Sequence, residues 1–205
     1  MGTDIGDNKM SDLKKEMLKI KVKGYFDNGD LRVDSTITAL VKYHVDKARH
    51  NIETGSLLME VSKDKESKKK LKVSVDYIGY DWTISCGYYA MFHAATAALA
   101  TIGIKAQSHE SLIEGLEYHF VLKEKAIDSE DIEKIKFAKR LDEKYVNRMW
   151  TTKSKRNTAQ YKVDSVIAQK DAEKIYRNAI DFVDTIESLI KGLKKQKITG
   201  LDAEN

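Results

Sequence analysis

The stretch Tyr88-Tyr89-Ala90-Met91-Phe92-His93-Ala94-Ala95 lies at the centre of the most apolar part of this chain. The run around it extends from Ile84 to Ile102, and its polar positions are Ser85, His93, Thr96 and Thr101. A helix that is apolar on nearly every side is buried on nearly every side. The run therefore predicts a buried central helix from about Asp81 to Thr101 that stops at Gly103.

His93 is an ionisable group inside this helix, where burying a charge is costly. Cys86 lies seven positions earlier, which is two helical turns, so the two side chains share a face with Tyr89 between them. A histidine satisfied by a backbone carbonyl or a tyrosine is the simpler interpretation of His93, and a catalytic histidine is the alternative. Cys86 is interpreted as a small buried side chain, and the tyrosines mainly as core packing.

Apolar residues at helical spacing predict three more long helices, and the absence of proline permits them to run without a break. They are expected from Asp34 or Ser35 to about Met59, from Ser129 to Thr151, and from Asp164 to Leu193. Shorter features are a helix over 12–23, a charged loop over 63–72, an extended lead-in over 71–80, a helix opened by a capping box at Ser111–Glu114, and a loop over 152–160. The predicted fold class is all-α, an up-and-down antiparallel bundle of four to five helices.

The length of 205 residues suggests one domain, with a polar segment and short helix over 1–33, a bundle over 34–193 and a polar tail over 194–205. We expect a cytoplasmic protein with no membrane span, because there is no signal pattern and only one cysteine. The composition leans weakly towards a thermophile. No metal site or cofactor is predicted, since the five histidines show no paired ligand spacing.

Basic residues form a row in the predicted fourth helix, at four-residue steps: Lys136, Arg140, Lys144 and Arg148. Between Glu133 and Arg156 there are nine basic and three acidic residues, and the row continues into a basic loop that contains Arg156. A solvated helix face and a surface that binds a phosphate backbone explain this pattern equally well. His109, at a predicted helix start, is interpreted as capping or solvent-exposed, with anion binding as the alternative.

Four matches in order resemble the HEPN family of helical-bundle proteins (higher eukaryotes and prokaryotes nucleotide-binding), over about residues 34–193. The matches are Lys47-Ala48 in the first helix, Cys86-Gly87-Tyr88-Tyr89-Ala90-Met91-Phe92-His93 with small residues after it, Gly103 with Gln107-Ser108-His109, and Arg156-Asn157-Thr158-Ala159-Gln160-Tyr161. The resemblance implies a HEPN-type bundle, and HEPN relatives commonly form two-fold dimers. Many members are metal-independent endoribonucleases, and some are toxins that a partner nucleotidyltransferase neutralises.

The family's catalytic motif is an arginine and a histidine separated by four to six residues, and this chain lacks it. None of its five histidines has an arginine five to seven positions before it. Cys86 stands seven before His93, where relatives carry arginine, and Gln160 replaces an aspartate of the family's last motif. A neutral thiol does not bind phosphate as an arginine does.

The resemblance and its departures favour a degenerate HEPN protein that binds RNA, a nucleotide or a nucleotidyltransferase-type partner. The alternative is an active endoribonuclease that uses His93 with a non-standard arginine, namely Arg49, Arg148 or Arg156. A structural or regulatory dimer is the third hypothesis. A two-fold homodimer is expected, and it would bring two His93 faces to one cleft. The expected binding residues are Tyr89, His109, Lys136, Arg140, Lys144, Arg148 and Arg156.

Overall fold

The computed structural model of the chain describes residues 4–151 and 158–202, with side chains over 12–147 and 168–196. Its described part is all-α apart from one small sheet, as the sequence predicts. The helices are α1 (Asp4–Asn28), α2 (Val41–Lys63), α3 (Lys65–Lys70), α4 (Tyr80–Thr101), α5 (His109–Leu116), α6 (Ser129–Thr151) and α7 (Thr158–Asp202). The remaining elements are β1 (Leu31–Val33), a 3-10 helix (Ser35–Leu40), β2 (Ile104–Ala106) and a π-helical segment (Glu117–Lys123).

The chain folds into two compact units. The first unit comprises Met1–Lys42, Ala95–Ile132 and Ser188–Asn205, and the second comprises Tyr43–Ala94 and Glu133–Glu187. This division cuts across the expected segments 1–33, 34–193 and 194–205, which stay a prediction. Within the described ranges, no helix combines the length and the apolar character that crossing a bilayer requires.

The second unit contains parts of the four helices α2, α4, α6 and α7, together with the short helix α3. Arg49 on α2 contacts Glu187 on α7, and Lys63 contacts Glu173, so these two helices run antiparallel. Its core contains side chains from all four helices: Ala48, Ile52, Ile84, Tyr88, Met91, Ile135, Ala138, Ile175, Ala179 and Phe182. These positions recur every three or four residues, so the sequence pattern and the buried stripes agree.

Two glycines let the helices of the second unit approach closely. A Cβ added at Gly87 would lie 2.5 Å from Cγ2 of Ile175, so α4 and α7 meet at a point where a side chain does not fit. A Cβ at Gly55 would lie 3.4 Å from Cβ of Cys86, which marks the approach of α2 to α4. These close approaches hold α4, and with it His93, against its neighbours.

The first unit contains the small sheet, in which β1 pairs antiparallel with β2 and Leu31 lies opposite Ala106. Gly29, with φ of 83°, and Gly103, with φ of 74°, provide the left-handed backbone at the end of α1 and after α4. Asp34 caps the 3-10 helix by accepting a hydrogen bond from the Thr36 amide at 3.0 Å.

Several sequence-based boundaries are confirmed. The helix α6 has the predicted bounds, α4 begins one residue earlier than predicted, and 71–79 contains no strand. Other predictions were wrong in detail. Part of the expected charged loop is the helix α3, because Asp64 caps it by accepting from the Ser67 amide and Lys68 donates to the carbonyl of Val75.

The helix α5 also begins earlier than predicted. Its N-cap is Ser108, which forms a capping box with Ser111, so the box does not involve Glu114. The helices α1 and α7 are longer than expected, and α7 continues through the predicted tail to Asp202. The predicted loop over 152–160 falls largely outside the described residues, which resume at Thr158.

Candidate functional site on helices α2 and α4

The helix α4 is buried over most of its surface but presents one stripe outward. Trp82 is 54% exposed and Tyr89 is 41% exposed. Cys86, which lies between them, and His93, one turn after Tyr89, are half-buried. Positions 82, 86, 89 and 93 follow the three- and four-residue steps of a single helix face. The adjacent tyrosines therefore differ, since Tyr88 is a core residue with 1% exposure and Tyr89 reaches the surface.

His93 contacts a second histidine, His44, which α2 contributes. The two Nδ1 atoms are 3.2 Å apart and the ring centroids are 5.4 Å apart. Both side chains are half-buried, and each packs against a neighbouring ring on its own helix, Tyr43 beside His44 and Phe92 beside His93. At this separation one ring donates the Nδ1 proton and the other accepts it, so the two rings hold different tautomers.

Burial keeps this histidine pair neutral. Desolvation lowers the pKa of His93, and the charges of His44 and Lys47 lower it further. Desolvation also lowers the pKa of His44. Because adding a proton would place positive charge in a partly desolvated position beside a lysine, the pair is a hydrogen-bonding and proton-accepting group at neutral pH.

Lys47 and Tyr43 complete this part of the surface. They lie one turn apart on α2, with the Lys47 ammonium 5.8 Å from the centroid of the Tyr43 ring, and Tyr43 is 52% exposed. We call the set Tyr43, His44, Lys47, Tyr89 and His93 the α2–α4 face. It combines two exposed aromatic rings, a cation and a pair of neutral imidazoles.

Cys86 lies on the same helix stripe and is a protonated thiol. It is half-buried, and desolvation raises the pKa of its thiol. A neutral thiol offers neither the charge nor the fork of donors with which an arginine binds phosphate.

The sequence suggested three arginines that could replace the missing one, and only the side chain of Arg49 is among the described residues. Arg49 is held by α7, with its Nε 2.7 Å from Glu187 and an Nη atom 2.5 Å from Asp184. These contacts raise the pKa of Arg49 and make it a cross-link between α2 and α7. The side chain of Arg148 and the whole of Arg156 lie outside the described residues.

Within the described side chains, Arg140 and Lys144 of the basic row lie on the outer side of α6. Arg140 and Lys144 are each about 160° around the helix from Asp142, at 100° per residue, and Asp142 is buried and accepts a hydrogen bond from Ser85 on α4. Carboxylates lie beside part of the row, since Lys136 is 3.5 Å from Glu133 and Lys144 is 3.7 Å from Asp171. These contacts place Lys136 and Lys144 beside carboxylates of α6 and α7.

His109 belongs to the first unit, where it is the first residue of α5, whereas the α2–α4 face belongs to the second unit. Sequence reasoning identified Tyr89 and His93 as site residues but assigned no site role to Tyr43 or His44. One signal was available for His44, which lies one helical turn before Ala48 and therefore beside the predicted buried stripe of α2. Its contact with His93 spans 49 residues and leaves no trace in local spacing.

The family comparison agrees with the fold. The HEPN domain family model matches residues 62–189, which is more than half of the chain and includes α4, α6 and most of α7. The chain therefore belongs to the HEPN domain family. No curated protein matches the chain.

Proposed function

We propose that this HEPN domain protein binds single-stranded RNA or a nucleotide on the α2–α4 face and does not cleave it. The observation that carries the proposal is the grouping of exposed Tyr43 and Tyr89 with Lys47 and the neutral His44–His93 pair. Stacking of a base on an exposed aromatic ring contributes about 1–3 kcal/mol and tolerates any base. A nearby ammonium attracts the phosphate backbone, and imidazole nitrogens can bind base or sugar groups.

The lack of cleavage follows from the charges near His93. Attack by the 2′-oxygen on phosphorus needs a base and also a cation that stabilises the phosphorane as negative charge develops. A neutral imidazole can act as the base. Cys86 is uncharged and Arg49 is engaged by two carboxylates, so neither supplies the fork of charged donors that the family motif provides. The Lys47 ammonium lies beside the pair, but it is a point charge and lacks the planar fork with which an arginine binds phosphate.

The test is titration of a labelled single-stranded RNA at about 50 and 200 mM salt, with EDTA present. We expect binding that weakens with salt, since each phosphate contact releases counterions. Tyr89→Ala and Lys47→Gln should each weaken binding about tenfold. Arg140→Gln is the matched control, because it also removes one cation but from the outer side of α6.

Two results would contradict this proposal. The first is no binding at low salt by protein of verified fold. The second is loss of binding in Arg140→Gln and Lys144→Gln with none in Lys47→Gln, which would assign RNA to the basic row. RNA binding is also expected from the sequence at that row, which includes Arg148, at Arg156 and, separately, at His109 of the first unit.

Metal-independent endoribonuclease activity is a second candidate because of the His44–His93 contact. If one ring donates its Nδ1 proton to the other, the donor presents a basic Nε2 and the acceptor presents an Nε2–H, which are a base and an acid in one pair. Incubating RNA with the protein in EDTA, beside His93→Ala, separates the candidates. If the wild-type protein cleaves RNA and His93→Ala does not, the nuclease is favoured. If neither protein cleaves RNA, binding without cleavage is favoured. Equal cleavage by both proteins indicates a contaminating nuclease.

We also propose assembly as a two-fold homodimer through or beside the α2–α4 face, and a nucleotidyltransferase-type protein as partner. Exposed Trp82 and Tyr89 on one stripe of α4 support a contact there, since large exposed apolar groups are enriched at protein interfaces. Light scattering across a dilution series tests the dimer. A single species at the 23.3 kDa monomer mass would refute it.

A further inference from the structure

The His44–His93 pair has the spacing of two ligands on one metal ion. Imidazole nitrogens bind zinc at about 2.0–2.1 Å, and tetrahedral geometry then places two of them about 3.3 Å apart. The Nδ1 atoms of His44 and His93 are 3.2 Å apart, and they come from different helices of the second unit. Sequence spacing gives no sign of this pair, because its members are 49 positions apart.

An ion midway between the two Nδ1 atoms would lie about 1.6 Å from each, closer than the 2.0–2.1 Å of a zinc–imidazole bond. An ion therefore binds beside the line that joins the two Nδ1 atoms, after a small turn of the two rings. Their centroids are 5.4 Å apart at an interplanar angle of 32°, so the two Nδ1 atoms point towards one another and the rings do not stack. In the hydrogen-bonded form one Nδ1 carries a proton. On metal binding that proton moves to the Nε2 atom of the same ring, so both Nδ1 lone pairs become available and the pair loses no net proton.

The surroundings favour a neutral ligand pair but include one opposing charge. Metal ligation by histidine requires the neutral imidazole, and burial lowers the pKa of both rings. Lys47 acts against the ion, since the positive charge that lowers the pKa of His93 also repels a divalent cation. Removing that charge should therefore tighten metal binding, which is opposite to its expected effect on RNA binding.

The pair supplies two ligands, and solvent supplies the others. Among the residues whose side chains are described, no group of three or more histidine, cysteine, aspartate or glutamate side chains could hold a metal ion. Both rings are half-buried, so one side of the pair is open to water. Imidazole ligands suit copper, nickel and zinc, whereas magnesium and calcium prefer oxygen.

We propose that His44 and His93 bind one divalent transition-metal ion per chain through their Nδ1 atoms, with affinity in the order Cu²⁺ above Ni²⁺ and Zn²⁺. The site goes beyond the proposed function, because it requires no RNA and no second subunit.

The experiment titrates metal-free full-length protein with Cu²⁺, follows the ¹⁴N couplings by electron paramagnetic resonance, and measures Ni²⁺ affinity by calorimetry. We expect one ion bound per chain with two coordinating nitrogens. His44→Gln should weaken Ni²⁺ binding at least tenfold, and Lys47→Gln should strengthen it. His50→Gln is the matched control, because it removes an exposed histidine from the same helix and should leave affinity unchanged.

Several outcomes would overturn the site. They are wild-type affinity in His44→Gln, equal losses in His44→Gln and His50→Gln, or no binding by the wild-type protein. If circular dichroism shows that His44→Gln does not fold, His93→Gln tests the same pair from α4. RNA titrations in EDTA report on the proposed function separately, since Lys47→Gln should act in opposite directions in the two measurements.

Discussion

Two histidine environments in this protein share a chemical group and the direction of its pKa shift, yet they differ in what they can do. His44 and His93 are half-buried, contact each other, and lie beside exposed tyrosines and Lys47. His119, in the first unit, packs edge-on against Phe26 and Tyr118. Its Nε2 atom is buried and has no hydrogen-bond partner among the described residues.

The comparison separates a partly buried histidine pair that can bind a ligand from a buried histidine that lowers the stability of the protein at low pH. Burial at the α2–α4 face keeps two imidazoles neutral while one side of the pair stays open to solvent. A neutral imidazole can accept a proton, hydrogen-bond a base edge or bind a metal ion. Burial at His119 leaves a polar atom unpaired beside a cavity of about 310 Å³, and desolvation lowers its pKa to about 4. The hydrogen-bond partner, more than the pKa shift itself, distinguishes the two environments.

The largest predicted effect concerns His119 and pH. Its pKa is about 4 in the folded protein, against an ordinary value of 6.5 when unfolded. Above pH 6.5 both states are neutral and stability is fully present. As pH falls towards 4 the unfolded chain takes up a proton first, so this group removes about 2–3 kcal/mol of stability, after allowance for solvent screening of a partly exposed ring.

Denaturant titrations at several pH values between 7.5 and 4.5 measure this loss. His119→Phe keeps an aromatic ring but cannot titrate, so it should remove most of the slope. Lowered pKa values at His44 and His93 act in the same direction and account for a remainder. An unchanged slope in His119→Phe would show that this residue is not the buried titrating group.

A second prediction tests the packing that positions His93. Gly87→Ala places a Cβ 2.5 Å from Ile175 and should destabilise the protein by about 1–2 kcal/mol, because one of the two helices must shift. Gly24→Ala in α1 is the control, since nothing lies within 4 Å of its added Cβ. That substitution should stabilise by about 0.5–1 kcal/mol. Equal effects from the two changes, measured by thermal unfolding, would contradict close α4–α7 packing.

The smallest predicted effect concerns the histidine contact itself. His44→Gln removes a group whose positive charge, when it is protonated at low pH, lowers the pKa of His93. The pKa of His93 should therefore rise, while the pKa of His119 should stay low. The lost hydrogen bond should cost about 1 kcal/mol of stability. Histidine proton resonances followed through a pH titration report both values. A fall in the pKa of His93 would contradict the pairing.

The sequence predicted the helices with strong periodic signals and missed features that depend on contacts or on a few residues. The bounds of α6 and nearly those of α4 follow from buried stripes. The strands β1 and β2 have three residues each, too short for alternation to be detected. The helix α3 depends on the Asp64 cap within a lysine-rich stretch.

Only part of the candidate site could be predicted from the sequence, because the other part depends on contacts between helices. His93 and Tyr89 stand out because they interrupt an apolar helix, and that contrast is local. His44 lies on another helix, and only the antiparallel approach of α2 to α4 at Gly55 brings it to His93. The spacing of the basic row was visible, but the orientation of the row depends on the contact between Asp142 and Ser85.

The most direct test of the central claim is to observe the imidazole nitrogens while RNA is added. In ¹⁵N-labelled protein with EDTA present, a short single-stranded RNA should shift the side-chain resonances of His44 and His93 and leave those of His119 unchanged. Lys47→Gln should reduce both shifts at equal RNA concentration. Shifts confined to His109 or His119, or saturated RNA binding with His44 and His93 unmoved, would contradict the assignment of RNA to the α2–α4 face.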